Sequence, residues 1–164
     1  MTEPTILLIQ PNERARGMMV TRLQDAGFQV LTSNTALDGL ATLHRERVDL
    51  LLSEKDLPGR SGIELTRLVR EHSAYEDLPV MLITGKSDRV GACEAYAVGA
   101  DDVIAKPFDT DVIIAKINRR LKLAGTVSAL RHDNSVLDAR VIERAIELGE
   151  VRDELRAIRI GKRA

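Results

Sequence analysis

The sequence predicts an α/β domain built on a parallel sheet, followed by one long C-terminal helix. Three observations carry that expectation. Short apolar runs rich in Ile, Leu and Val alternate five times with stretches of helical periodicity by about residue 123. Glycine follows two of the helical stretches, at Gly27 and Gly99, where it can take the left-handed conformation that closes a helix. After Leu123 the chain carries no aromatic residue and no proline, and becomes a dense mixture of Arg, Glu and Asp.

Taken in order, Thr5 to Ile9 is too short for a helix and apolar enough for a buried strand. Pro11-Asn12-Glu13 opens a helix that runs through Met18, Met19 and Leu23 to Gly27. Phe28 to Leu31 is the second strand, and Asn34 caps a helix carrying Leu37, Leu40, Ala41 and Leu43. Asp49 to Ser53 is the third strand, with a helix marked by Ile63 to Val69 after it. Pro79 to Ile83 is the fourth, with proline at its first position, where a missing donor does little harm. Ser87 to Val98 reads as the next helix, Val103 to Ala105 as a short fifth strand, and Asp109 as the cap of the helix beyond.

Such alternation argues for helices on both faces of the sheet, and right-handed crossovers leave few topologies. The flavodoxin-like (βα)5 doubly wound order, 2-1-3-4-5, is expected among them. It sets the carboxyl ends of the first and third strands side by side, at the edge where open α/β sheets place their sites. Gln10, Pro11, Glu54, Thr84 and Lys106 would share that edge. The core must be mostly aliphatic, since Phe28, Tyr75, Tyr96 and Phe108 are the whole aromatic complement. A net charge of −1 makes no electrostatic case for nucleic acid or an anionic membrane. The single cysteine, Cys93, has no partner for a disulfide or a metal site, which fits a reducing compartment. The N-terminal "MTEPTILLIQ" lacks a basic region, and no stretch is long and apolar enough to span a bilayer, so a cytoplasmic location is expected.

The chain is organised around Val48 to Gly62, "VDLLLSEKDLPGRSG": a buried strand that surfaces with the carboxylate of Glu54, then a Pro58-Gly59 turn. With "PVMLITG" in the fourth unit and "GADDVIAKPF" in the fifth, it resembles the receiver domains of bacterial two-component response regulators from roughly Thr5 to Leu123. The resemblance divides the chain into a receiver-like domain, 1–123, and a helical extension, 124–164. It also implies a set of roles. Receivers carry Asp as phospho-acceptor where Glu54 stands, and an acidic pair for Mg²⁺ where Gln10 and Pro11 stand. Thr84 and Lys106 match the residues that contact the phosphoryl group, and Val103 replaces the switch aromatic. Glu13 is the nearest acid to the degenerate pair but falls too late, and Asp56 lies past the strand end as a turn residue. No metal and no cofactor are therefore expected. Lys106 should instead form a charge-assisted hydrogen bond with Glu54, with Thr84 donating to the same carboxylate. Such a pair either mimics a phosphorylated state or is a structural relic; the sequence leaves both open.

From Val127 a heptad can be counted. Its a positions are Val127, Asn134, Val141, Leu148 and Leu155, and its d positions Leu130, Leu137, Arg144, Val151 and Ile158. Apolar residues dominate, which predicts a parallel dimeric coiled coil with Asn134 pairing with its twin to set register. Glu147–Arg152 and Glu154–Arg159 attract across such a dimer, whereas Asp133–Asp138 repels. Arg144 and Gly149 weaken the middle, the glycine by about 1 kcal/mol against alanine. Fully helical, Val127 to Ile158 would span roughly 48 Å at about 1.5 Å per residue, long enough to reach another domain of a larger protein. The rival is a helical hairpin broken at "HDNS", where Ser135 and Asp138 have capping-box spacing.

The function expected is non-enzymatic: a degenerate receiver that binds a protein partner or dimerises, using the fourth helix, fifth strand and fifth helix as relatives do. A working phospho-receiver with an unusual acceptor is the alternative. Two weaker likenesses lie in the tail. "LRHDN" around His132 is similar to a phosphotransfer histidine segment, and "ARVIERAIELG" to an RNA-binding antiterminator module, although basic excess and stacking aromatics are missing.

Overall fold

β1 (Thr5–Ile9), β3 (Leu50–Glu54) and β4 (Val80–Thr84) are near-continuous apolar runs because both of their faces are covered, as parallel sheets require. The computed structural model describes residues 3–162. It places these strands between β2 (Gln29–Ser33) and β5 (Asp102–Ala105) in one five-stranded sheet, order β2-β1-β3-β4-β5, with every pairing parallel. This is the flavodoxin-like order expected from the sequence.

Side chains alternate across the sheet with the period of two that strands impose. Ile6, Leu8, Leu50, Leu52 and Met81 point to one face, against Met19 and Leu23 of α1 (Glu13–Asp25) and Ile113 and Ile117 of α5 (Thr110–Gly161). Leu7, Ile9, Leu51 and Leu82 point to the other. There they meet α2 (Ala36–Arg45), α3 (Gly62–Glu71) and α4 (Arg89–Ala97) through Leu43, Leu65, Val69 and Ala95.

Polar side chains start the helices: Asn12 accepts from Ala15 N–H, Ser61 and Glu64 form a capping box, and Asp88 accepts from Gly91 N–H. Asp109 takes the N–H of Asp111 at 2.9 Å at the start of α5. Gly27 (φ +88°) and Gly99 (φ +101°) take the left-handed conformation after α1 and α4. Two local expectations are corrected. Thr35, not Asn34, caps α2, because its hydroxyl is the group that reaches Asp38 N–H, at 3.2 Å. β2 starts after Phe28, whose N–H closes onto Leu23 O at 3.2 Å to finish α1, and it extends to Ser33 by pairing with Ile9.

The chain divides into two compact units, Met1–Ala124 and Gly125–Ala164. α5 is unbroken through His132 to Ser135, so the hairpin alternative is not realised. Ser135 Oγ donates back to His132 O at 2.8 Å, which uses the hydroxyl that a new N-cap would need.

Candidate functional site

The carboxyl ends of β1, β3, β4 and β5 bring Gln10, Glu54, Thr84 and Lys106 to one edge, as expected. Glu54 closes β3 and is only 6% exposed, so its charge needs partners. Gln10 Nε2 donates to Glu54 Oε1 at 2.6 Å, and Lys106 Nζ lies 2.7 Å from the same oxygen. Gln10 is oriented by its other end, because its Oε1 accepts the backbone N–H of Asn12 at 3.0 Å. That donor demands the carbonyl oxygen, which turns the NH₂ group onto Glu54. Arg16 Nη1 donates to Gln10 O at 2.8 Å and steadies the same residue. Lys106 is carried in by its own backbone, whose N–H bonds to Thr84 O at 2.9 Å.

Gly62 shows how tightly β3 and α3 meet. A Cβ there would collide with the carbonyl oxygen of Glu54, and the Gly62 N–H bonds to Lys55 O at 2.7 Å. Only glycine lets the helix start so close to the strand end.

The donor set does not suit a divalent cation. Mg²⁺ needs oxygen ligands, yet Gln10 presents an amide NH₂ to Glu54, Pro11 has no side-chain ligand, and an ammonium already holds the carboxylate. Glu13 lies exposed in the first turn of α1. Among the described residues no group of His, Cys, Asp and Glu has the grouping of a metal site.

The expected bond from Thr84 to Glu54 is corrected. Thr84 is buried at the end of β4, but the hydrogen bond to the carboxylate comes from Gln10 and the ion pair from Lys106, both on Oε1. Val103 is half-buried against the aliphatic cluster of the α3 and α4 face and presents no ring. Asp56 is exposed and paired with Lys55 at 2.8 Å, as a turn residue. Cys93 is exposed, and His132 and Asn134 lie exposed on α5.

Lys55 is a residue of this edge that the sequence does not announce. Its ammonium reaches Asp56 and, at 3.0 Å, Asp88, so it ties the β3–α3 loop to the cap of α4. A carboxylate 33 residues downstream gives no sequence signal; the β3–β4 pairing creates the contact. Gly91 sits directly under the Asp88 carboxylate, which a Cβ would strike. Hydrogen bonds to Asp56 and Asp88 raise the pKa of Lys55 above its ordinary 10.5, against a lowering by burial. Bonds from Lys55 and from Gly91 N–H lower that of Asp88 below 3.8. A depressed acid stabilises the fold above its unfolded pKa and loses that contribution as pH falls through the folded value. A raised base loses its contribution only when pH rises through its folded value. The difference in urea midpoint between wild type and Asp88→Asn should therefore be constant from roughly pH 5 to 9 and shrink toward zero in acid, below about pH 4. A difference that changes across neutrality would contradict the assignment.

The family profile described as "Response regulator receiver domain" matches residues 6–118. The chain is 31% identical over 125 residues to the phosphate regulon transcriptional regulatory protein PhoB of Pseudomonas aeruginosa, covering 76% of this chain and 55% of that one. It is also 31% identical to the transcriptional regulatory protein GltR of Pseudomonas aeruginosa, over 73% of this chain and 50% of the relative. The chain thus spans about half the length of the curated relatives it matches. Among solved structures, the chemotaxis response regulator CheY4 of Vibrio cholerae superposes with TM-score 0.68 at 28% identity, over 73% of this chain and 99% of that one. The structure of FixJ-N does so with TM-score 0.68 at 32%, over 74% and 96%.

Proposed function

We propose that this chain, which belongs to the response regulator receiver family, signals without accepting phosphate, through its shape and the association of two copies. The observation that carries this reading is the engagement of Glu54. The carboxylate that would have to attack a phosphoryl donor is buried and held by both Gln10 and Lys106. Glutamate also sets that carboxylate one methylene farther out than aspartate does, and a misplacement near 1 Å costs on the order of a hundredfold in rate. With Gln10 and Pro11 in place of two acids, nothing on β1 draws a cation to neutralise a transferring phosphoryl group.

Incubation with acetyl phosphate and Mg²⁺, followed by intact mass, tests the reading. The expected result is an unchanged mass; a stable phosphoryl adduct supports the alternative, a working receiver with an atypical acceptor. The partner is a protein of a two-component-type pathway, met on the surface of α4, β5 and the first turns of α5. No catalytic role is assigned. No helix among the described residues is long and apolar enough to cross a membrane, and a cytoplasmic place suits a module of this family.

Self-association is assigned to residues 124–164. The apolar a and d residues, Val127, Leu130, Leu137, Val141, Leu148, Val151, Leu155 and Ile158, are 42–69% exposed in the single chain. A helix that leaves such a stripe in water gains by pairing it. Charge favours the parallel arrangement, in which Glu147 meets Arg152 and Glu154 meets Arg159 of the second copy, and in which Asn134 meets its twin.

A further inference from the structure

A cavity of about 430 Å³ opens beside Glu54, between α1 and the start of α5. Its volume lies within the range of small-molecule sites. Ala15, Met18, Met19 and Phe108 supply its apolar wall and Glu54 and Lys106 its opposite charges, while Arg22, which also lines it, has its guanidinium paired with Asp111 at 2.9 Å. Neither Glu54 nor Lys106 is saturated. The hydrogen bond from Gln10 and the ion pair with Lys106 both fall on Oε1, so Oε2 receives no hydrogen bond from the described residues. The Lys106 ammonium, a group with three donors, is paired on one side with Glu54, and its side chain is 47% exposed. An acceptor and a donor of opposite charge therefore sit side by side at one end of an apolar hollow.

That pairing selects among ligands. An ion of one sign that approaches Lys106 meets the like charge of Glu54 a few ångströms away, and the reverse holds for a cation. A neutral molecule carrying both signs meets attraction at each end, and each contact is a charge-assisted hydrogen bond. We infer that this cavity binds an apolar α-amino acid, with its ammonium on Glu54 Oε2, its carboxylate on Lys106, and its side chain along Met18, Met19 and Phe108. The inference rests on the reading that Glu54 carries no phosphate, and it gives that unphosphorylated site an input of its own. Intact mass reports the first reading and the experiment below reports the second, so failure of one is distinguishable from failure of the other.

The test uses the full chain labelled with ¹³C at its methionine methyl groups, titrated with L-phenylalanine, phenethylamine and 3-phenylpropionate. The two analogues keep the ring and each lacks one of the charges. Phenylalanine should shift the Met18 and Met19 signals saturably and leave the signal of Met81, buried in the core, in place. Each analogue should bind at least about 10-fold more weakly, as loss of a charge-assisted bond requires. Glu54→Gln should weaken phenylalanine by about 10-fold. Met18→Asn, at an exposed position that does not support the core, should weaken it by roughly 3-fold or more. No saturable shift by roughly 10 mM, where even a millimolar site fills, would overturn the proposal. So would equal binding of either analogue or indifference to both substitutions.

Discussion

Replacing Arg70 with alanine should destabilise the domain by about 2–4 kcal/mol and lower its melting temperature by roughly 10 °C. Arg70 ends α3, and its guanidinium joins three separate segments. Nε donates to Gly99 O at 3.0 Å, and Nη1 to Tyr75 O at 3.1 Å and Leu78 O at 2.8 Å. Nη2 meets Asp101 Oδ2 at 2.8 Å, the oxygen that also takes Val80 N–H at 2.8 Å. One planar group thus satisfies carbonyls at the end of α4 and in the approach to β4, and fixes the acid that leads into β5. Truncation leaves these acceptors short of donors. The side chains of Arg70 and Asp101 are 20% and 38% exposed, so water recovers part of the loss and the cost stays below that of breaking a fully buried pair. Thermal melts of wild type, Arg70→Ala and Arg70→Lys measure it. Lysine should recover little, because its single head cannot serve several directions at once. A loss under about 1 kcal/mol for alanine would show that this hub is ornamental.

The second large effect concerns size in solution. Light scattering of the full chain should report two copies per particle, and a chain ended at Leu123 should report one. The shortened chain keeps its core, since the buried residues of α5, Ile113 and Ile117, and the half-buried Leu121 all precede the cut. A full-length variant with Val141→Glu and Leu148→Glu offers the same test without truncation. Both residues are exposed in the single chain, so the substitutions remove a seam and leave the fold intact. Each charge placed in a coiled-coil core leaves a buried group unpaired, and two such pairs should cost on the order of several kcal/mol of association. Equal particle masses for all these chains would remove the tail's role in pairing. A monomeric full chain would do the same.

Much of this molecule is legible in its residues. The alternation of apolar runs and helical stretches, with Gly27 and Gly99 at helix ends, is local, because it reflects what a strand or a helix needs to bury and how a helix stops. That alternation and the handedness of crossovers narrow the strand order to a few, and 2-1-3-4-5, the one expected among them, is the one realised. The motifs around Glu54, Thr84 and Lys106 place those residues at one sheet edge, since each lies at the carboxyl end of its strand or just beyond it. Element ends were less legible at β2 and at the cap of α2. There the competing candidates are neighbours, Asn34 and Thr35, and hydrogen-bond reach decides between them.

By itself, then, the sequence determined the layers of the fold and which side chains, Gln10, Pro11, Glu54, Thr84 and Lys106, stand at or just past its strand ends. What only the tertiary structure decided is how the remaining groups pair: Gln10 turning its NH₂ to Glu54, Lys106 closing on the same oxygen, Thr84 standing apart, and Lys55 and Arg70 tying distant loops together. The physical reason is reach. Periodicity is set by neighbours along the chain, whereas a hydrogen bond between residues 44 apart, as Gln10 and Glu54 are, exists only after β1 and β3 lie side by side.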